Sequence, residues 1–351
     1  MIPAFEGFVL INVAVCMSFP KILIIFAFIL FTVIGLAALI KNGKNSANKD
    51  QNKISSEEIE LSSEIRTISP SYPSSENPVS ATTPSLSSRP AAPLPDVDRV
   101  QKFFNKTEPK FPIVQTLTYK SRVAWQKGRP AWLSDYASHY KTSRHFIARS
   151  LNGKPDYLKQ DVAEGGRFNV LHPDKNIAFY LLIDTSRSKM WFYYLDQNTN
   201  ERVLVKTYTV GLGRVDSTKS SGLLTPLGKY TLGDKVSIHK PKMTGFHGGK
   251  KVELIRVFGT RWIPFGKENG DCKSYDGFGI HGVPWITGPN GELIEHIESL
   301  GKYESDGCIR LSTQDMEELF AIIITRPTTV ELVKDFYDAD LPGVETENRK
   351  Q

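Results

Sequence analysis

The stretch IAFYLLID at residues 177–184 is followed by KMWFYY at 189–194 and RVLVKTYTV at 202–210. These runs are rich in β-branched and aromatic residues and are separated by short polar segments, which is typical of consecutive strands. The segment DQNTN at 196–200 forms the turn between the second and third runs. A later run, TTVEL at 328–332, adds a closing strand. The sequence therefore predicts a mainly β domain, a sandwich or barrel.

One helix is predicted within this β-rich region, directly before the closing strand. Ser312 or Thr313 can cap it, and Asp315 lies in its first turn. An apolar stripe at helical spacing follows, formed by Met316, Leu319, Phe320 and Ile323. This C-terminal helix is expected to pack on the β core.

Two short motifs carry the chemistry of the sequence. SDGCIRL at 305–311 places Cys308 on a glycine-containing turn, and GIHG at 279–282 supplies His281 from upstream. A thiolate attacks a carbonyl carbon, and a nearby imidazole lowers the thiol pKa and carries the proton. Gly307 has no side chain and therefore lets the chain turn sharply beside the thiol. The pair predicts nucleophilic acyl transfer.

These motifs occur in a fixed order with two others, a first hairpin at 177–194 and TPLGKY at 225–230. Together they resemble the L,D-transpeptidase (YkuD-type) catalytic domain, over residues 176–335. The members of that family act on peptidoglycan stem peptides. The resemblance implies a YkuD-type β-sandwich or barrel with a C-terminal helix.

The resemblance also implies a role for each site residue. Cys308 matches the nucleophile, His281 the general base, and Gly282 the residue whose carbonyl orients the imidazole. The backbone amides of Gly307 and Cys308 are expected to form the oxyanion hole. Ser305 matches a hydroxyl beside the nucleophile.

Arg310 has two interpretations at this stage. It can clamp a substrate carboxylate with its two-pronged guanidinium, or it can brace the cysteine loop.

The sequence departs from the family at two places. Position 306 is often His in the family and is Asp306 here, a carboxylate that raises the thiol pKa unless it points away. The segment between His281 and Ser305 is longer than usual and is interpreted as a loop over the cleft, a candidate substrate lid. Cys272 is either incidental or a partner for an inactivating disulfide with Cys308.

Residues 118–172 predict a strand, two short helices and a strand. This order resembles a LysM module, a small βααβ fold that binds N-acetylglucosamine-containing glycans. The matching positions are Leu133, Tyr136, Ala137, Tyr140, Ile147, Ala148, Leu151, Asn152 and 165–170. The usual Gly-Asp-Thr before the first helix is replaced by Gly128-Arg129-Pro130. The alternative is a helical hairpin that only packs on the catalytic domain. Four aromatic residues are suited to stack on sugars: Trp125, Trp132, Tyr136 and Tyr140. At this spacing, some of the four must belong to the core instead.

The N-terminal part predicts an anchor followed by a linker. After a flank at 1–21, the uncharged apolar run at 22–40 is long enough to cross a bilayer as a helix. A cleaved signal peptide is the alternative, but no A-x-A-like site follows. Residues 41–96 are rich in Ser and Pro and are predicted to be disordered. Residues 336–351 are predicted as a C-terminal tail. Translation starts at Met1 or Met17.

The charges flanking the apolar run do not fix its orientation. Lys41, Lys44 and Lys49 follow it and Lys21 precedes it, which by the positive-inside rule places the C-terminal side in the cytoplasm. The resemblance implies the opposite, a single-pass protein of the cytoplasmic membrane with its catalytic domain in the periplasm or extracytoplasmic space.

Composition narrows the possible partners. The net charge of +6 and pI near 9.0 suit a polyanionic surface such as cell wall or membrane, and no nucleic-acid-binding motif is present. With three cysteines and no CxxC pair, neither a metal nor another cofactor is predicted. Three histidines are interpreted as surface residues: His239, His247 and His296. The oligomeric state is left open.

The sequence thus predicts a membrane-anchored peptidoglycan L,D-transpeptidase whose partners are stem peptides and glycan strands. By family resemblance, Cys308 forms an acyl-enzyme with a donor tetrapeptide stem and releases D-Ala. The acceptor is a second stem (a 3–3 cross-link), a D-amino acid, a protein lysine or water, the last giving a carboxypeptidase. The alternatives are a cysteine amidase that trims stems and a non-catalytic wall-tethering protein. An activated Cys308 is expected to alkylate below the ordinary thiol pKa of about 8.5.

Overall fold

The computed structural model describes residues 93–157, 160–268 and 277–346. The predicted flank 1–21, the span 22–40 and the linker up to residue 92 lie outside the described residues, as does Cys272. Within the described ranges, no helix is both long and apolar enough to cross a membrane. Residues 91–351 form one compact unit.

The first described elements have the predicted order of strand, two helices and strand, preceded by one short helix. They are α1 (Gln101–Phe104), β1 (Val114–Thr118), α2 (Leu133–His139), α3 (Arg144–Asn152) and β2 (Arg167–Leu171). β1 and β2 pair antiparallel, with Val114 opposite Leu171. We call residues 114–171 the βααβ module; its likeness to LysM stays a prediction.

The turns of the βααβ module are fixed by local chemistry. The Ser143 hydroxyl accepts a hydrogen bond from the Phe146 amide at 2.9 Å and thereby caps α3. Gly153 ends α3 with φ of 76°. Tyr136 is buried in the core of the module, whereas Trp132 is 53% exposed, so the four aromatic residues do divide between core and surface.

The remaining elements form the β-rich part of the chain. In chain order, the first group is β3 (Ile177–Asp184), β4 (Lys189–Asp196), β5 (Glu201–Thr209), β6 (Leu212–Gly213), β7 (Gly228–Leu232), β8 (Ser237–Ile238), β9 (Thr244–His247), β10 (Lys250–Glu253) and α4 (Ile255–Phe258). The second group is β11 (Arg261–Glu268), β12 (Gly279–Gly282), β13 (Trp285–Thr287), β14 (Leu293–Glu295), a 3₁₀ turn (Ile297–Ser299), β15 (Tyr303–Ser305), β16 (Ile309–Leu311), α5 (Thr313–Ile323), β17 (Thr328–Val333), a second 3₁₀ turn (Phe336–Asp338) and β18 (Val344–Glu345).

One large curled sheet dominates this part, as the predicted mainly β class requires. Its strand order is β16-β12-β11-β7-β17-β3-β4-β5-β18, and β8 pairs with β11 at the side. The pairs β3/β17, β12/β16 and β5/β18 are parallel. Every residue of β3 is buried, because hydrophobic clusters cover both faces of the sheet. The strand therefore reads as a continuous apolar run rather than an alternating one.

Helix α5 forms where its sequence predicts. The Ser312 hydroxyl accepts a hydrogen bond from the Asp315 amide at 3.1 Å, which caps the helix. The whole predicted stripe is buried: Met316, Leu319, Phe320 and Ile323. The stripe packs into the main hydrophobic cluster, so α5 joins the sheet core.

The ends of the β-rich part are more ordered than predicted. Pro95, within the predicted linker, accepts hydrogen bonds through its carbonyl from Trp191 Nε1 at 2.8 Å and Thr207 Oγ1 at 3.1 Å. Val344, within the predicted tail, lies in β18 and pairs with Glu201 of β5.

The βααβ module packs directly on the β-rich part. The Ser143 hydroxyl donates to the Ala321 carbonyl of α5 at 2.5 Å. Arg149 Nη2 lies 3.7 Å from Glu317 Oε2 on α5, and Arg261 of β11 forms an ion pair with Asp156. These contacts agree with the alternative of a helical hairpin that packs on the β-rich part. They do not test whether the module binds a glycan.

We predict that Ser143→Ala lowers the free energy of unfolding by about 1–2 kcal/mol, because it removes both the helix cap and a buried hydrogen bond. Chemical denaturation of residues 91–351 measures this. Ser138→Ala is the matched control, since Ser138 is exposed on α2 and should change stability by less than about 0.5 kcal/mol. Equal effects of the two substitutions would contradict the role given to Ser143.

Candidate active site

The register of two parallel strands brings the predicted site residues together. β12 pairs with β16 so that His281 lies opposite Arg310, and Ile280 opposite Ile309. Because side chains alternate along a strand, Cys308 and Arg310 project to the same face of the sheet as His281. Cys308 precedes β16 by one residue and thus lies diagonally across from His281.

The turn before Cys308 requires glycine. Gly307 has φ of 115°, and a Cβ on it would lie 2.3 Å from Phe278 Cε1 and 2.9 Å from the Leu224 carbonyl oxygen. The Ser305 hydroxyl accepts from the Gly307 amide at 3.1 Å and donates to the Cys308 carbonyl at 2.6 Å. Ser305 therefore holds both sides of the turn. The Ser305 hydroxyl also holds the Gly307 N–H in a hydrogen bond. This bond must break before the Gly307 amide can donate to an oxyanion.

His281 is a neutral, oriented imidazole. Its Nδ1 lies 2.7 Å from the Gly282 carbonyl oxygen, and since a carbonyl only accepts, Nδ1 carries the proton. Nε2 is therefore the basic atom. The rings of Phe258 and Trp262 lie at 5.5 and 5.7 Å from the imidazole. Burial lowers the pKa of His281 to about 3. The hydrogen bond to Gly282 raises this pKa, and the positive charge of Arg310 lowers it further.

Cys308 is buried, and its Sγ lies 3.5 Å from the Gly277 carbonyl oxygen. Burial raises the pKa of the thiol to about 11, against the effects of a Gly279 backbone hydrogen bond and of the Arg310 charge. The resting site thus pairs a neutral thiol with a neutral imidazole. This differs from the activated thiolate that the sequence predicts, because a sequence does not reveal how deeply a thiol is buried.

Asp306 is exposed to solvent and paired with an arginine. Its carboxylate binds Arg214 Nη2 at 2.5 Å, and the two side chains are 71% and 60% exposed. Asp306 still raises the pKa of Cys308, but it is the smallest of the resolved causes. The departure from the family at this position is therefore compensated by an arginine that lies far away in the sequence.

Arg310 is held in the sheet by its backbone, which exchanges two hydrogen bonds with Gly211, at 2.9 and 3.0 Å. Its Nε is buried and has no hydrogen-bond partner in the described part of the chain, but the same is true of five other arginines there. The positive charge of Arg310 lowers the pKa of both Cys308 and His281. These observations do not decide between the clamp and the brace, and both interpretations stay predictions.

The histidines predicted at the surface differ in burial. His247 is exposed, and His296 is half-buried. His239 is buried, which makes its prediction wrong; its Nδ1 lies 3.2 Å from the Gly259 carbonyl oxygen. Gly259 in turn packs against Gly282, because a Cβ on Gly259 would lie 2.7 Å from the Gly282 Cα. No sequence signal linked His239 to the site. No group of three or more His, Cys, Asp or Glu side chains suited to a metal occurs in the described ranges.

The long segment after His281 is a β-hairpin rather than an irregular loop. β13 and β14 pair antiparallel, with Trp285 opposite Glu295. Trp285 Nε1 donates to Thr313 Oγ1 at 3.3 Å, and the Glu295 carboxylate accepts from the Thr313 amide at 3.1 Å. The hairpin is thus fastened to the start of α5. Its role as a substrate lid stays a prediction.

A cavity of about 530 Å³ lies near the predicted site, although neither Cys308 nor His281 lines it. Two of its lining residues contact the site: the Trp262 ring neighbours His281, and the Gly277 carbonyl lies against Cys308 Sγ. Asp234 and Lys235 also line it, with opposite charges.

We predict that alkylation of Cys308 by iodoacetamide accelerates about tenfold per pH unit between pH 7 and pH 10, because the thiolate fraction rises tenfold per unit below the thiol pKa. Peptide mass spectrometry of residues 91–351 carrying Cys272→Ser follows this site alone. Asp306→Asn should speed the reaction and Arg310→Met should slow it, since Asp306 raises and Arg310 lowers the thiol pKa. Asp340→Asn, at a 98% exposed side chain, is the control. A plateau below about pH 9 would contradict the buried neutral thiol.

We also predict that Gly307→Ala destabilises the protein by about 1–3 kcal/mol more than Gly301→Ala. Both positions have positive φ, but a Cβ at Gly301 has its nearest neighbour at 3.6 Å, whereas one at Gly307 overlaps Phe278. Denaturation midpoints of the two variants measure the difference. Equal losses would mean that the close approach to Phe278 is unimportant.

Comparison with known proteins finds similarities for the part of the chain that contains this site. Residues 178–332 match the family model of YkuD, the L,D-transpeptidase catalytic domain. The Bacillus subtilis (strain 168) protein named "Putative L,D-transpeptidase YqjB" is 29% identical over 140 residues, which are 38% of this chain. The chain spans 65% of the length of that relative.

Solved structures provide weaker similarities. Bdellovibrio bacteriovorus Bd1075 is 15% identical, with 45% of this chain and 48% of that chain covered and a TM-score of 0.30. The helical cell shape determining protein Pgp2 from Campylobacter jejuni is 16% identical, with 49% and 54% covered and a TM-score of 0.30. Mycobacterium tuberculosis L,D-transpeptidase 1 is 13% identical, with 50% and 68% covered and a TM-score of 0.25. Residues 178–332, less than half of the chain, are thus similar to L,D-transpeptidase catalytic domains of the YkuD type.

Proposed function

We propose that the protein is a peptidoglycan L,D-transpeptidase in which Cys308 is the nucleophile and His281 the general base. The observation that carries this proposal is the strand register that sets His281 opposite Arg310, on the face that also bears Cys308. The Nδ1 bond to Gly282 supports it further, because it leaves Nε2 as the proton acceptor.

The reaction follows from these atoms. As the scissile carbonyl enters the cleft, the Sγ proton passes to His281 Nε2 and the sulfur attacks the carbonyl carbon of the third stem residue. The Cys308 amide, joined by the Gly307 amide once Ser305 releases it, stabilises the oxyanion. The C–N bond to D-Ala breaks, and the leaving amine takes the proton from Nε2. A thioester to Cys308 remains.

The second half-reaction reverses the proton path. An acceptor amine attacks the thioester carbonyl and gives a proton to His281 Nε2, and the thiol is restored. A second stem, a D-amino acid or a protein lysine gives transpeptidation. Water gives a carboxypeptidase.

Arg310 is proposed to bind the carboxylate of the leaving D-Ala. Its position two residues after Cys308 and the effect of its positive charge on the Cys308 thiol support this role. The leaving carboxylate lies only two bonds beyond the scissile nitrogen, so a charge beside the thiol can reach it. This would favour stems that end at the fourth residue over longer ones.

The remaining parts of the proposal rest on sequence. The apolar run at 22–40 would anchor the protein in the cytoplasmic membrane, with the catalytic domain in the extracytoplasmic space. The βααβ module would hold glycan strands near the cleft. A non-catalytic tethering protein is the competing function, and the neutral resting thiol is the observation that favours it.

We predict that the protein removes alanine from purified tetrapeptide-stem muropeptides and forms a product that depends on Cys308. Mass spectrometry of the full chain and of Cys308→Ala measures this. A cross-linked dimer establishes transpeptidation, and alanine loss without a dimer establishes a carboxypeptidase. His281→Gln should lower the rate at least 100-fold, while His296→Gln, outside the catalytic pair, should stay within twofold.

A second substrate tests the proposed clamp. The wild-type protein should react more slowly with a stem whose terminal carboxylate is amidated than with the free acid. The ratio of these two rates should be at least tenfold smaller in Arg310→Met than in the wild type. An unchanged preference would reject the clamp alone. No product from either substrate, with sacculus binding retained, would instead favour the tethering protein.

A further inference from the structure

A protruding hairpin beside the active site carries no assigned role. It consists of β9 and β10, which form a two-stranded sheet of their own among the strands that the structure describes. We call residues 240–251 the basic hairpin. Nearly all of these residues are exposed to solvent.

The two faces of the basic hairpin differ. The register sets His247 opposite Lys250 and Phe246 opposite Lys251. The His247 ring lies 5.2 Å from the Phe258 ring, which also contacts the imidazole of His281. Since side chains alternate along a strand, Phe246 and Lys251 project from the opposite face, away from the catalytic residues.

The outward face carries an exposed aromatic ring, because Phe246 is 78% exposed. Met243, in the turn before β9, is 42% exposed. An exposed aromatic residue of this kind usually marks a contact with something else.

The hairpin is also strongly basic. Four lysines are exposed, and no Asp or Glu occurs between them: Lys240, Lys242, Lys250 and Lys251. The nearest carboxylate, Glu253, already accepts from Arg256 Nε at 2.7 Å and from the Lys242 amide at 2.6 Å. None of the four lysine side chains forms an ion pair within the residues that the structure describes.

We propose that this outward face docks on a lipid bilayer that carries anionic headgroups. The ammonium group of Lys251, with those of Lys240 and Lys242 in the turn before β9, matches the headgroup charge, while Phe246 enters the interface between headgroups and chains. A soluble polyanion would satisfy the lysines but would leave the phenyl ring in water. The apolar run at 22–40 of the same chain provides an independent reason for a membrane nearby.

Docking would place the catalytic cleft close to the bilayer. The opposite face of the same hairpin reaches His281 through Phe258. The inference does not depend on the proposed reaction, because it uses neither Cys308 nor the acceptor.

The test is co-sedimentation with vesicles. Residues 91–351, the compact unit without the apolar run, are mixed with phosphatidylcholine vesicles with or without one quarter phosphatidylglycerol. Binding is expected with phosphatidylglycerol and should weaken at least fivefold when the salt concentration rises from 0.05 to 0.5 M, since salt screens exposed charges (Debye length about 10 Å at 0.1 M). Phe246→Ser should weaken it about five- to tenfold, and Lys242→Gln with Lys251→Gln about tenfold or more.

Matched variants distinguish binding through this surface from non-specific binding to vesicles. Val344→Ser removes an apolar residue that is 64% exposed on β18, and Lys302→Gln with Lys334→Gln removes two charges elsewhere. These controls should bind within twofold of wild type. Melting curves confirm that each variant is folded.

Two results would overturn the proposal. One is binding that Phe246→Ser leaves unchanged while the lysine variants abolish it, together with equal binding to a soluble polyol-phosphate polymer; the hairpin would then be a polyanion site. The other is no difference between the two vesicle compositions.

Discussion

The parallel pairing of β12 with β16 is the constraint on which the site depends. His281 and Cys308 come from separate segments, and the hairpin β13–β14 lies between them in the chain. Only the register that sets Ile280 opposite Ile309 brings them to one face. On its other edge β12 packs closely on β11, where a Cβ at Gly279 would lie 2.4 Å from the Ile263 carbonyl oxygen. A slip by one residue would turn His281 to the other face.

Burial then decides the chemistry of the pair. Cys308 and His281 are both so well shielded that each holds its neutral form, with the thiol pKa raised and the imidazole pKa lowered. A neutral, buried thiol is less reactive towards alkylating and oxidising agents than a thiolate. Under the proposed mechanism, the proton transfer takes place only when a substrate fills the cleft. In that arrangement Arg310, which favours the thiolate and disfavours the imidazolium, tunes both partners.

Local chemistry explains which parts of the fold were predictable. The strands β3, β4 and β5 and the helix α5 follow from apolar runs, polar turns and the Ser312 cap, all of which act within a few residues. The partners of the site act over long distances and were missed. Arg214 binds Asp306 across 92 positions of sequence. His239 touches Gly259, and only the packing of Gly259 on Gly282 links that contact to the imidazole.

The order of elements also ties the βααβ module to the catalytic residues. Helix α5 begins five residues after Cys308, and its other end accepts the Ser143 hydroxyl through Ala321. Arg261, next to Trp262 on β11, pairs with Asp156 of the module. A module held at two such points cannot swing freely as a flexible wall-binding domain would. If it binds a glycan strand, it therefore presents the attached stems to the cleft in a fixed orientation, and its affinity contributes to positioning rather than only to tethering.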